Sequence, residues 1–277
     1  MRSILLFGIA LMLSAAFISC SKNEPLEEVA AMPEVTELVK LRVISLGFSA
    51  EDIIATEGGF IVEGDIFLSN EEITASWITD WQTLQVGENE QFRTTNLVTS
   101  LPRNITVFLK TSGNRSLPAS YGAALDIALA RYNAENLRVT FTRVYSASAG
   151  NIDITRASGN YLASAGFPTS SGNPYGSVEV NSTAIGTGTS STFNNYLATI
   201  LAHEIGHCIG FRHTDYMDRS YSCGGSYYNE GASTVGAINI PGTPTTADPN
   251  SWMLSCIGSN QNRPFNNNDK TALSYLY

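Results

Sequence analysis

The chain has 277 residues, a formal net charge of −9, 43% hydrophobic and only 15% charged residues, and 23 glycines. That balance fits a core-forming, loop-rich protein of one medium domain plus a smaller one, and excludes a disordered or multiply membrane-spanning chain. No cluster of lysine or arginine is present to neutralise phosphates, so nucleic acid is not expected as a partner.

Met1-Arg2-Ser3 gives a short basic start, and Ile4 to Phe17 is an apolar run of signal-peptide length. A membrane-spanning helix needs about 20 apolar residues, so the run is short for one. It ends in Phe17-Ile18-Ser19-Cys20 before a polar stretch. This resembles the lipobox of bacterial lipoproteins, although its first position is usually Leu. The resemblance implies cleavage before Cys20, lipidation of that cysteine and a chain exported and anchored at the outer membrane or cell surface. The other reading is an ordinary secretory signal in which Cys20 is incidental.

Residues 21–36 are charged and contain prolines, which suits a tether. From Val39 to Ser69, short apolar stretches separated by glycines predict a small N-terminal region with a hairpin. Glu71 to Arg93 reads as a connector with some helix. Asn104 to Lys110 alternates as a strand, and Tyr121 to Asn136 carries apolar residues at helical spacing. Strands are expected over Leu137–Tyr145, Asn151–Thr155, Tyr161–Phe167 and Gly176–Val180. A long helix follows over Phe193–Ile209, ended at Gly210, then an irregular stretch and a last short helix over Asp269–Tyr277. The expected divisions are a signal over 1–20, a tether and pro-like region over 21–95, and a catalytic domain over 96–277. Cys208, Cys223 and Cys256 remain once Cys20 is set aside, enough for one disulfide and one free thiol in an exported protein. Which two pair is left open.

Residues 203–213 read His-Glu-Ile-Gly-His-Cys-Ile-Gly-Phe-Arg-His, and they hold all three histidines of the chain. At 3.6 residues per turn, His203 and His207 share one helix face and can grip one ion. Glu204 lies beside them but rotated off the ligand direction, which suits a general base. Gly210 can end the helix in a left-handed conformation and let His213 arrive from outside it as third ligand. Three protein ligands leave a position open for water, the arrangement of a catalytic zinc site with one Zn2+.

The run HEIGHCIGFRHTD is similar to the metzincin clan of metallopeptidases and, in its HEIGH wording with Thr214-Asp215, to the bacterial dual-action HEIGH metallopeptidases. The resemblance covers roughly residues 100–277. It implies an α+β fold: a mixed twisted sheet, an active-site helix and an irregular C-terminal subdomain, preceded by the small N-terminal region. It also implies a methionine turn beneath the metal, for which Ser251-Trp252-Met253 fits, with Met253 as the floor. Some metzincins place a tyrosine two residues after that methionine; here the position is Ser255. Tyr216, Tyr221, Tyr227 and Tyr228 lie nearby and read by default as surface residues. Glu230, the only glutamate after the motif, lies in a Gly/Ser/Tyr-rich stretch and does not read as a ligand replacing His213.

The implied activity is a zinc endopeptidase cutting extracellular or surface proteins, with Glu204 as base. Substrate would lie along an edge strand, for which Tyr161–Phe167 is the candidate. Glu63-Gly64-Asp65 is similar to a pro-region segment of astacin-type metzincins, in which the aspartate fills the metal's open position. Asp65 is thus the candidate latency ligand, while Gly64-Asp65 alone more commonly makes a plain turn. A surface binding protein or adhesin that has lost catalysis is the rival reading, against which the intact Glu204 argues. Protein or peptide substrates are the expected partners, the membrane is met only through the lipid anchor, and the oligomeric state is unassigned.

Overall fold

A computed structural model describes residues 32–74, 91–232, 235–244 and 247–277. The signal, Cys20 and most of the tether lie outside the described residues, as does much of the connector read over 71–93. Residues from 32 to 277 belong to one compact unit.

Helix α1 (Glu37–Leu46) opens the described chain, capped by Thr36, whose hydroxyl accepts from the Val39 amide, and closed by Gly47 at φ 82°. The sequence reading expected only short apolar stretches here. Val43 is buried but Leu38, Leu41 and Ile44 are exposed, so no clean apolar stripe marks the helix. Strands β1 (Ile54–Thr56), β2 (Gly59–Val62) and β3 (Ile66–Ser69) form an antiparallel meander, which contains the expected hairpin, and the short helix α2 (Asn70–Thr74) follows.

After β4 (Phe92–Arg93) come β5 (Arg103–Leu109), α3 (Tyr121–Asn133), β6 (Val139–Val144), β7 (Ile152–Arg156), β8 (Ala163–Ala165) and β9 (Ser177–Val180). These fall where alternation and helical spacing placed them. The short helix α4 (Ser182–Ile185) leads into α5 (Ser191–Cys208), then α6 (Ser220–Cys223), β10 (Ile238–Asn239) and α7 (Asn267–Leu276). Neither α6 nor β10 has a periodicity long enough to be read from sequence.

One eight-stranded sheet runs in the order β1-β2-β3-β8-β9-β7-β5-β6. Strands β5, β6, β7 and β9 are parallel, and β8 is antiparallel to β9. The expected edge over Tyr161–Phe167 is corrected here: β8 is short and internal, because β3 pairs with it in parallel through Ile66 and Ala165. The main core lies between the sheet and helices α3 and α5, where Tyr132, Leu125, Leu197 and Leu201 are buried. Tyr132 donates to the Ala202 carbonyl at 2.7 Å and so satisfies its polar tip inside that core. A smaller core of Val43, Phe48, Val62, Ile66 and Leu68 packs the N-terminal region against Phe167.

Candidate metal centre

Helix α5 is capped by Ser190, which accepts from the Phe193 amide, and every residue from Tyr196 to Cys208 is buried. This stretch of the helix has no solvated face, so its polar side chains need partners inside the protein. His203 and His207 stand one turn apart with ring centroids 4.6 Å apart and their Nε2 atoms 3.0 Å apart.

His213 reaches the same point by a different route. Gly210 takes φ 108°, a value that L side chains rarely adopt, and a Cβ there would also crowd Leu97 and Asn96. The chain then pairs with β4: the Gly210 carbonyl accepts from Thr94, and Arg212 donates its amide to the Phe92 carbonyl. That pairing turns His213 back onto α5, with its ring 4.9 Å from His207 and 5.3 Å from His203.

The Nδ1 atoms are all engaged on the outside. That of His203 lies 2.9 Å from the Trp252 carbonyl, that of His207 lies 2.8 Å from the Phe211 carbonyl, and that of His213 lies 2.9 and 3.0 Å from the two Glu230 oxygens. All these partners accept hydrogen bonds, so each Nδ1 must carry a proton. The three Nε2 atoms are thereby directed at one another and at Asp65. Asp65 Oδ2 lies 3.0 Å from His213 Nε2 and 3.3 Å from His203 Nε2. One ligand atom from each of Asp65, His203, His207 and His213 falls within 4.8 Å of the others, and all four residues are buried. Four electron-rich atoms at such separations repel unless a cation lies among them, so the donor set fits a metal ion.

Glu204 is buried beside the cluster and Oε2 has no hydrogen-bond partner. Burial first, and the Asp65 charge second, push its carboxyl well above the usual range. Asp65 itself is held well below the usual range: burial alone would raise it, but the facing imidazoles, His213 foremost, outweigh that effect.

Trp252 and Met253, expected to form the methionine turn, lie against the helix at Gly206. Met253 is fully buried, and a Cβ on Gly206 would come within 2.6 Å of its Sδ. Thr214 donates its amide to the Met253 carbonyl at 2.9 Å, tying the end of the motif to the turn. Ser255 gives both its amide and its hydroxyl to Asp215 Oδ1, each at 2.9 Å. This places the Thr214-Asp215 pair in an anchoring role. Tyr216 is not a surface residue: it is buried, edge-on to Phe92 at 4.4 Å. Tyr221 and Tyr227 are exposed and Tyr228 is half-buried. Cys223 pairs with Cys256, and Cys208 is free and buried.

Comparison with protein families gives a match to the dual-action HEIGH metallo-peptidases over residues 61–277. The chain belongs to that family. Comparison with the curated proteins gives no match. As a HEIGH metallopeptidase, the protein has its family region beginning inside the N-terminal hairpin, at Ile61, rather than at the strands that follow. The matched span therefore includes Glu63 and Asp65.

Sequence reasoning gave two groups here no role in the site, although it rightly set Glu230 aside as a ligand. Glu230 does not join the metal cluster, but it is fully enclosed and holds His213 in place. Arg212 is 1% exposed and pairs with Glu63 at 3.1 Å, with Glu230 Oε2 at 3.7 Å. An arginine inside a metal motif and a glutamate in a glycine-rich stretch carry no periodic signal. Only their enclosure, which a fold must supply, distinguishes them from solvated charges.

Proposed function

We propose that this HEIGH metallopeptidase is a zinc endopeptidase in which His203, His207 and His213 hold the ion, Glu204 is the general base and Met253 floors the site. The observation that carries the reading is the convergence of three Nε2 atoms whose Nδ1 partners are all hydrogen-bond acceptors. Three neutral imidazoles with an oxygen donor suit Zn2+. When bound, the ion would acidify a water and polarise the scissile carbonyl.

The chain's own part follows from Glu204. Its carboxylate takes a proton as the water oxygen attacks the carbonyl carbon, then passes that proton to the amide nitrogen as the carbon–nitrogen bond breaks. A group held high by burial is a stronger base than a solvated glutamate, which favours the first of these proton transfers. A cavity of about 380 Å³ adjoins His203 and Glu204, walled by Tyr161–Ala163, by Trp252 and by Leu254–Ile257, and is suited to receive a substrate side chain.

Asp65 supports a latent state of the full chain. Its carboxylate occupies the fourth ligand position of the cluster, and β3 covers the strand along which an extended peptide would lie. Residues Glu63 and Gly64 have φ of 53° and 88°, so the segment is both a tight turn and a ligand-bearing one. We further infer export and lipid anchoring at Cys20, from the N-terminal sequence alone; a Cys20→Ser chain that still fractionates with membranes would refute it.

Glu204→Ala tests the chemistry. The variant is expected to keep stoichiometric zinc by metal analysis while losing peptide hydrolysis by at least about 10²-fold. Near-normal hydrolysis by this variant would remove Glu204 from the mechanism. Chelator-insensitive turnover by the unsubstituted protein would remove the metal.

A further inference from the structure

Resting on the peptidase reading, one place in the chemistry is still unfilled: a donor for the carbonyl oxygen as negative charge builds on it. Ser255, which stands two residues after the turn methionine, cannot serve. Both its donors are committed to Asp215, and its hydroxyl also lies 3.2 Å from Glu230. The donor must therefore come from elsewhere in the cleft.

Five buried side-chain donor atoms among the described residues lack a hydrogen-bond partner: Arg143 Nε, Ser164 Oγ, Thr214 Oγ1, Arg219 Nε and Asn239 Nδ2. Of their residues, Arg219 alone lines the cavity that also contains His203, Glu204 and Asp65. Its guanidinium leans over the hairpin tip, where a Cβ added to Gly64 would collide with Nη2. Gly64 is the residue next to Asp65, so the cation already faces the main chain of the segment that enters the metal centre. A second cavity of about 660 Å³ shares Gly64, Asn160, Arg219 and Cys256 with the first, so Arg219 borders both.

We propose that Arg219 binds the carbonyl oxygen of the scissile bond and stabilises the charge that develops there. A guanidinium is permanently charged and presents several donors in a rigid plane, so it needs little rearrangement as the oxygen becomes anionic. The local fold holds it in place from three sides. Its amide donates to the Tyr228 carbonyl at 2.7 Å, and its carbonyl accepts from Cys223. The Cys223–Cys256 disulfide fastens that segment to the irregular chain that follows Met253. Nε also stands 3.9 Å from Glu230 Oε1, the carboxylate that holds His213, so the cation and one ligand share an anchor.

The sign of the effect separates this role from simpler ones. Arg219 also packs on the hairpin, so a pure latch residue would, when removed, open the cleft and raise activity. The test uses the full-length zinc-loaded chain carrying Asp65→Ala, with Arg219→Ala and Arg219→Lys added, a peptide substrate, and a phosphinic pseudopeptide as a mimic of the reacting geometry. Arg219→Ala is expected to lower kcat by about 10²–10³-fold with KM changed less than about threefold, and Arg219→Lys to restore part of the loss. Calorimetric affinity for the phosphinic pseudopeptide is expected to fall in step with kcat/KM across the three chains, at unchanged zinc content. A rise in activity would make Arg219 a latch only, and a rise in KM at constant kcat would make it a reader of acidic side chains; either overturns the assignment. So does undiminished phosphinic affinity. If the Asp65→Ala background itself neither cleaves peptide nor binds the mimic, the peptidase reading has failed and the assignment falls with it.

Discussion

Glu230 shows how much of the metal centre depends on groups that never touch the ion. Its two oxygens accept from His213 Nδ1, and burial, which alone would raise its pKa, is outweighed by His213 and the nearby arginines, which hold it below the usual range. An ionised partner fixes the tautomer of the imidazole and makes Nε2 a stronger donor to a cation. Glu230→Gln keeps the shape but can accept at only one position. The expected result is a 10–100-fold weaker hold on zinc, measured by competition with a chromogenic chelator, with the fold intact by circular dichroism. Unchanged affinity would mean that His213 is oriented by its backbone alone.

Helix α5 and the methionine turn meet at Gly206, and their contact sets a size limit on that position. Glycine inside a helix costs about 1 kcal/mol relative to alanine, so its presence needs a packing reason. The reason is Met253: an added Cβ would lie 2.6 Å from Sδ and 3.2 Å from Trp252 Nε1. Trp252 also donates to the Ala202 carbonyl and accepts from His203, so displacing the turn displaces a ligand. Gly206→Ala is therefore expected to destabilise by about 1–3 kcal/mol despite its better helix propensity, and to weaken zinc binding. A raised midpoint in thermal melting would show that the turn yields freely. The same helix explains what the sequence could reveal. The histidine spacing and the apolar run of α5 are local patterns, and so are the alternations of β5 and β6. The packing role of Gly206 leaves no local pattern, because its neighbour, Met253, is 47 residues distant in sequence. Helix α1 escaped notice for a related reason, since its buried side depends on a hairpin and on Phe167 rather than on its own periodicity.

At the scale of the molecule, three contacts beside apolar packing join the N-terminal hairpin to the metal centre and the sheet around it. Asp65 enters the metal centre, β3 pairs with β8, and Glu63 forms a buried ion pair with Arg212. Arg212 is ringed by Phe48, Phe167 and Tyr216 at 5.7–5.9 Å, so its charge has little water to fall back on. Removing one member of an enclosed ion pair typically costs about 3–5 kcal/mol, because the other charge is left without its partner. Here the loss falls on the docked hairpin, since Arg212 retains Glu230 at 3.7 Å once the segment has moved away. Asp65→Ala alone clears the ligand position but leaves β3 across the cleft, so it is expected to raise peptide hydrolysis by the full-length chain only modestly. Glu63→Gln alone weakens docking while Asp65 still competes for the ion. The double variant is expected to exceed the product of the two single effects, and to speed amide exchange across residues 59–69 without altering exchange in β5 or α3. Strict additivity would show that the two carboxylates act on independent steps, and an Asp65→Ala chain no more active than the unsubstituted protein would end the latency proposal.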